Sequence, residues 1–269
     1  MYKLLYSLEQ RSGWVRREVN HVFYNYLAGL DPTGVVTLLN YGYAYLDVKV
    51  QPLRLAEEDE PNRYPLQLYD CVASAVDLRG RDVLEVGSGR GGGASFVKRY
   101  LGARTMTGVD YSEKAVAFCQ QHYRVDGLRF VHGDAENLPL EDGQFDAVIN
   151  IESSHCYGVM ARFLAEVRRV LRPGSHLLWA DYRQAKRAGD LKADMAAAGF
   201  AVVSEEVISP NVLQAMRQQH KRSREQIDGH VPRVARRTFY HFAGLEGTYF
   251  YNEFASGELV YLRMALRKA

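Results

Sequence analysis

The stretch Asp82 to Phe96, DVLEVGSGRGGGASF, constrains the fold of this chain more than any other. Val83, Leu84 and Val86 make a short apolar run suited to a strand buried on both faces, and Gly87, Gly89, Gly91, Gly92 and Gly93 break it at once. Glycine tolerates positive φ and lets backbone come close to a ligand, after which Ala94, Phe96, Val97 and Leu101 resume helical spacing. The result is a strand, a loop and a helix N-terminus that offers free N–H groups to a polar ligand. So many adjacent glycines cost stability without adding packing, which disfavours a loop that holds nothing.

After this first helix the apolar period switches repeatedly between strand and helix, the pattern of a mostly parallel sheet covered on both faces. Further strands are expected near Thr105–Val109, Arg129–Val131, Phe145–Ile151, His176–Asp181 and Ala201–Ile208, with helices near Ser112–His122, Tyr157–Leu171 and Ala185–Ala198. Glu258–Leu266 alternates as a last edge strand, antiparallel to the rest. Upstream, Trp14–Leu27 spaces Val15, Val19, Val22, Phe23, Tyr26 and Leu27 as an amphipathic helix, ended by Asp31, Pro32 and Gly34. Tyr41, Tyr43 and Tyr45 follow in an irregular cap, and Leu66–Val76 is a helix leading to the central strand. The expected fold class is therefore α/β: a Rossmann-like, doubly wound, mostly parallel seven-stranded sheet. Residues 1–78 are expected to form the N-terminal helical cap and 79–269 the main domain, with a lid inserted at 209–257.

A formal net charge of +2 over 269 residues argues against nucleic acid as a partner. Cys71, Cys119 and Cys156 lack metal-type spacing, so no metal site is implied, and they suit a reducing cytoplasm. The N-terminus has no cleavage-site pattern and no segment is apolar for long enough to span a bilayer, so a cytoplasmic protein without stable membrane insertion is expected.

Gly87, Gly89 and Gly92 satisfy G-x-G-x-x-G, with Asp110 placed at the end of the next strand as a ribose-binding acid. A nicotinamide oxidoreductase uses the same geometry, so the loop alone leaves the ligand open. Three further stretches narrow it: Gly133-Asp134-Ala135-Glu136-Asn137-Leu138-Pro139, Phe145-Asp146-Ala147-Val148-Ile149-Asn150 and Val170-Leu171-Arg172-Pro173-Gly174. In this order the set resembles the class I S-adenosylmethionine-dependent methyltransferases. Asn150-Ile151-Glu152-Ser153-Ser154-His155-Cys156-Tyr157, with Glu60-Pro61-Asn62-Arg63 and Ala180-Asp181-Tyr182-Arg183, is similar to the phthiotriolone and phenolphthiotriolone dimycocerosates methyltransferases. It is more loosely similar to the rebeccamycin-type sugar O-methyltransferases. Ser175, where that group usually has glycine, touches only a turn.

The resemblance implies S-adenosylmethionine as cofactor. It implies that Gly87, Ser88 and Gly89 hold the methionyl part, with Glu85 near its ammonium. Asp110 and Tyr111 would meet the ribose, Asp134 and Ala135 the adenine edge, and Asn150 would belong to the same cofactor-binding set. It also implies methylation of a hydroxyl on a lipophilic or glycosylated natural product.

His155 follows the fourth strand and Asp181 ends the fifth, which puts both at the carboxyl edge of the sheet. A carboxylate on one imidazole nitrogen fixes the tautomer and leaves the other to take the acceptor's proton as the methyl is transferred in line. The alternative is that His155 only orients the acceptor, proximity supplying the acceleration. Glu152 has two readings, a contact to the ligands or a cap for the helix near Tyr157. Tyr41, Tyr43 and Tyr157 are candidates for the acceptor pocket, the first two also for packing of the cap.

In the lid, Phe239, Tyr240, Phe242, Tyr249, Phe250 and Tyr251 can enclose an apolar acceptor. Arg217, Lys221, Arg222, Arg224, Arg233, Arg236 and Arg237 outnumber the acids there; a solvated face explains such a run, as does recognition of an anion. That anion keeps open a C-methyltransferase acting on an isoprenoid double bond. From other classes, a nicotinamide oxidoreductase is disfavoured by GDAENLP and a non-catalytic cofactor binder by the His155–Asp181 pair. The lid and first helix are also candidates for a homo-oligomer contact.

Overall fold

A computed structural model describes residues 13–30, 36–47 and 49–269, with backbone alone at 14, 23, 24 and 26–30. The stop signal at Asp31, Pro32 and Gly34 lies outside the described residues, as do the side chains of Phe23, Tyr26 and Leu27. Seven strands form one sheet: β1 (Asp82–Val86), β2 (Thr105–Asp110), β3 (Leu128–His132), β4 (Phe145–Ile151), β5 (Leu171–Gln184), β6 (Phe200–Val207) and β7 (Leu259–Lys268). Their order is β3-β2-β1-β4-β5-β7-β6, with β1 to β5 parallel and β7 antiparallel to both neighbours.

β1 is buried along its whole length and carries two charged residues: Asp82 at its start pairs with Arg104 and Arg172, whereas Glu85, fully buried, has no cation beside it among the described residues and points to function. Because β1 pairs with β2 on one side and β4 on the other, the order in which strands are added reverses there and opens a crevice beyond the strands' carboxyl ends.

Nine helices are described: α1 (Gly13–Leu30), α2 (Arg63–Ala73), α3 (Gly92–Tyr100), α4 (Glu113–His122), α5 (Met160–Val170), α6 (Ala188–Ala197), α7 (Ser209–His230), α8 (Arg233–Phe242) and α9 (Tyr249–Ser256). α5 shows why periodicity was readable: Phe163, Leu164, Val167 and Val170 are fully buried against Leu177 and Trp179 of the sheet. Each such side chain contributes about 1.5–3 kcal/mol. Among the described residues no helix is long and apolar enough to cross a membrane.

The last strand departs from expectation. β7 is not an edge: it runs between β5 and β6, with Tyr261, Leu262, Met264, Ala265 and Leu266 all buried. The edge is β6, exposed from Ala201 to Val207. A chain that returns antiparallel after three helices can insert beside β5, and its intermittent polar positions, Arg263 above all, mimic an edge. Arg263 instead reaches Glu206 on β6 and the Cys71 carbonyl.

Candidate active site

The turn after β1 is built from left-handed residues, Gly87 at φ 77° and Gly89 at φ 51°. At Gly87 a Cβ would stand 2.5 Å from Ser153 Oγ and 2.9 Å from the Tyr157 hydroxyl. Those two side chains are fixed by Asn150, whose Nδ2 donates to Val86 O (2.9 Å), Ser153 Oγ (2.8 Å) and Tyr157 Oη (2.9 Å). Asn150 thus braces the turn from beneath. The backbone of β1, β4 and the loop after β4 is held as one unit.

A cavity opens above the turn. Its wall includes Gly87, Ser88, Gly89, Asp110, Tyr111, Asp134 and Ala135, all expected from sequence, together with Glu152 and Tyr157. Glu85 and Asn150 lie behind that wall. Asp110 accepts from Gly89 N (2.7 Å) and Ser112 N (2.9 Å), so the second strand's acid is oriented by the glycine loop itself. Burial raises the Asp110 pKa against those bonds.

The set fits S-adenosylmethionine on two structural counts. Ser88 Oγ and Glu85 Oε2 are buried with no partner among the described residues, the kind of atom a polar ligand satisfies. At Gly89, in the cavity wall, a Cβ would meet no protein atom within 4 Å, so the backbone there faces open space that a ligand can enter.

Glu85 is pushed up to about 8 by burial with help from Asp110, although Tyr69 donates to Oε1 at 2.5 Å. Glu152 is likewise pushed up to about 8 by burial, against bonds from Tyr41 N (2.9 Å) and Tyr261 Oη (3.0 Å). Glu152 also has φ 48°, the one positive φ outside glycine among the described residues, and such strain gathers at functional sites. It does not cap α5: Glu136 Oε1 accepts from Gly158 N and Val159 N just before that helix.

These carboxyls carry a pH dependence. Ordinary values near 4.5 leave them ionised in the unfolded chain while the native protein keeps its protons to about 8. The native state binds more protons in that window, so stability falls as pH rises from 4.5 to 8. His155, raised above 6.5, adds stability below 6.5 that is lost as pH rises through its native value, the same direction. The melting temperature of the ligand-free protein is expected to fall from about pH 6 to about pH 9. S-adenosylhomocysteine, whose ammonium favours ionised carboxyls, should bind with release of roughly one proton near neutrality, measured by calorimetry in buffers of different ionisation enthalpy.

The other end of the cavity holds a residue that sequence reasoning missed. Arg17 on α1 donates to the Tyr111 hydroxyl (2.8 Å), pairs with Asp134 Oδ2 (2.9 Å) and lies over the Tyr111 ring. Asn20 and His21, one turn on, join the wall. The helical period marked the apolar face of α1 but carried no signal for what its polar face would meet. Arg17→Ala should release this cover and speed S-adenosylhomocysteine dissociation about 3- to 10-fold, in line with about 1 kcal/mol for a partly exposed pair, as read by stopped-flow.

His155 and Asp181 come together as expected. Nδ1 lies 2.9 Å from Asp181 Oδ1, and His155 N donates to Oδ2 at 2.9 Å. Asp181 is fully buried, yet His155 and Arg183, at 3.1 Å, outweigh burial and hold its pKa low. Ser154 Oγ donates to Oδ2 at 2.7 Å and in turn accepts from Trp179 Nε1. Burial works against the imidazolium, but Cys156 and Asp181 overcome it and raise His155. The ring retains 19% exposure and packs, tilted, against Tyr182 at 4.4 Å between centroids. His155 is not in the wall of the cofactor cavity; its neighbours Ser153 and Cys156 are.

Tyr182 leads to a second cavity. Its ring packs against Tyr41, Phe250, Phe254 and Tyr261, and Tyr41 lines a space between the cap, α7 and α8 with Leu38, Leu39, Ile227, Phe239 and Phe242. Leu38, Leu39, Asn40 and Arg90 border both cavities. Tyr41 therefore borders the second cavity, whereas Tyr43 is turned away, against Tyr45 and the thiol of Cys71. Gly42 between them takes a left-handed φ of 81°.

A family model described as a methyltransferase domain matches residues 84–179. The chain is 40% identical over 235 residues to a phthiotriol/phenolphthiotriol dimycocerosates methyltransferase of Mycobacterium leprae, covering 87% of each protein. It is 38% identical to a fatty-acid O-methyltransferase of Mycolicibacterium smegmatis over 82% of this chain and 78% of that one. Among solved structures, the [4+2]-cyclase SpnF superposes with a TM-score of 0.71 at 24% identity, covering 92% of this chain and 94% of that one. A geranyl diphosphate methyltransferase does so at 0.65 and 18% identity, covering 94% and 99%. Both share the fold. With the glycine cradle, the second-strand acid and the relatives in agreement, the chain belongs to the class I S-adenosylmethionine-dependent methyltransferases, in the group of the phthiotriol/phenolphthiotriol dimycocerosates methyltransferases.

Proposed function

We propose that this enzyme methylates a hydroxyl of a lipophilic acceptor held in the second cavity, with His155 as general base and Asp181 as its positioning partner. The observation that carries the reading is the His155–Asp181 contact of 2.9 Å beside the cofactor cradle. When bound, the cofactor supplies a methyl group on a cationic sulfur. The chain's own part is to remove a proton and exclude water. Asp181, fixed by Ser154 and backbone N–H groups, keeps the proton of the neutral ring on Nδ1 and leaves Nε2 to accept from the acceptor. Cationic His155 cannot accept, so the working form is the neutral ring. The apolar walls from Leu38, Leu39, Ile227, Phe239 and Phe242 suit a lipid-like acceptor, as do relatives named for phthiotriol and fatty-acid substrates.

The cluster of Tyr41, Tyr182, Phe250, Phe254 and Tyr261 supports a second reading, methylation of a carbon–carbon double bond, because aromatic faces stabilise a cation. The two readings separate on product: incubation with methyl-labelled cofactor and either long-chain alcohols or prenyl acceptors gives a methyl ether under the first and a new carbon–carbon bond under the second.

A further inference from the structure

The second cavity is not purely apolar, and its charged side chains are of one sign. Its described wall contains Arg90, Arg222 and His230 and no aspartate or glutamate. Arg90 is engaged, its guanidinium lying 3.9 Å over the Phe118 ring. Arg222 differs: it is half-buried and has no hydrogen bond or ion pair among the described residues. The nearby acids of α7 are taken elsewhere, Glu225 by Lys221, and Asp228 by Arg224, Arg236 and Tyr240. Burial alone lowers the Arg222 pKa, with no acid raising it in return. Neighbouring cations of the lid are therefore explained by local pairs or by solvent, and Arg222 is not.

α7 presents Gln219, Arg222, Ser223, Gln226 and His230 to this cavity, spaced three and four residues apart on one face. Gln219 donates to the Tyr41 carbonyl at 2.6 Å, and Tyr41 N donates to Glu152, so this end of the face adjoins the cofactor cavity. Arg222 stands about 4.5 Å farther along the helix axis. A largely apolar cavity that adjoins the cofactor cavity and carries an unmatched guanidinium suits an amphiphile with a second polar group.

We propose that Arg222 forms an anionic subsite in the acceptor cavity and binds a carboxylate of the acceptor, which makes the substrate class a long-chain acid bearing the hydroxyl that is methylated. A planar guanidinium and a carboxylate can meet through two parallel hydrogen bonds, and a partly desolvated pocket strengthens them. The inference rests on the second cavity being the acceptor site.

Binding of dodecanoate, dodecanol and dodecyl phosphate to the full-length protein saturated with S-adenosylhomocysteine tests it by calorimetry. Dodecanoate is expected to bind at least about tenfold more tightly than dodecanol, consistent with a charge-assisted bond. Arg222→Gln should abolish the difference while leaving dodecanol and S-adenosylhomocysteine affinities unchanged, and Arg222→Lys should keep part of it. Equal binding of acid and alcohol, or a preference that survives Arg222→Gln, overturns the subsite. Tighter, Arg222-dependent binding of dodecyl phosphate than of dodecanoate overturns the carboxylate assignment. An Arg222-dependent preference for the acid in a protein that methylates no alcohol would sustain the subsite and refute the proposed reaction.

Discussion

Replacing His155 with Ala lowers turnover on the acceptor by about 100- to 10,000-fold, the range for loss of a positioned general base, and leaves S-adenosylhomocysteine affinity within about twofold. The split follows from placement: His155 lies outside the cofactor cavity wall, on the side of Tyr182 and Tyr41. The pH profile sharpens the test. His155 is raised above its ordinary 6.5 with Asp181 against it, so kcat/KM should climb with pH through that raised value and peak on the alkaline side. Asp181→Asn removes the carboxylate, and both turnover and the pH of the limb should fall. A purely structural Asp181 would lower turnover without moving the limb.

Gly87→Ala is expected to destroy cofactor binding. The residue sits at φ 77°, where a side chain costs about 1–2 kcal/mol, and the new methyl would meet Ser153 and Tyr157. Both are tied to Asn150, so neither can yield without releasing the turn. Affinity for S-adenosylhomocysteine should drop at least about tenfold, because relieving the strain and the clash displaces the turn that lines the cavity. Gly143→Ala, at φ 61° with open space around it and far from the cradle, is the control: it should lose stability and keep affinity.

The central strand, the glycine turn and the alternation of strands and helices were legible because each is a local pattern. A buried strand is a short apolar run, and a left-handed turn demands glycine. His155 and Asp181 could be brought together by topology alone, since His155 follows β4, Asp181 lies near the end of β5, and β4 lies beside β5. What stayed hidden depends on contacts between distant segments. Arg17 reads as one more surface cation until α1 folds over Tyr111 and Asp134. Glu152 could be assigned to ligand or helix cap until Tyr41 and Tyr261, 111 and 109 residues away, claimed its carboxyl. β7 was misplaced because alternation reports burial of faces and says nothing about which neighbour supplies the hydrogen bonds.

In the proposed function the glycine turn holds the cofactor and the His155 side of the site decides where the methyl goes. The most direct measurement is the product formed from methyl-labelled S-adenosylmethionine and a long-chain alcohol, comparing the native enzyme with His155→Ala. Label on the hydroxyl oxygen, lost with His155, is the predicted result. Label on carbon, or a methyl ether formed equally fast without His155, would contradict it.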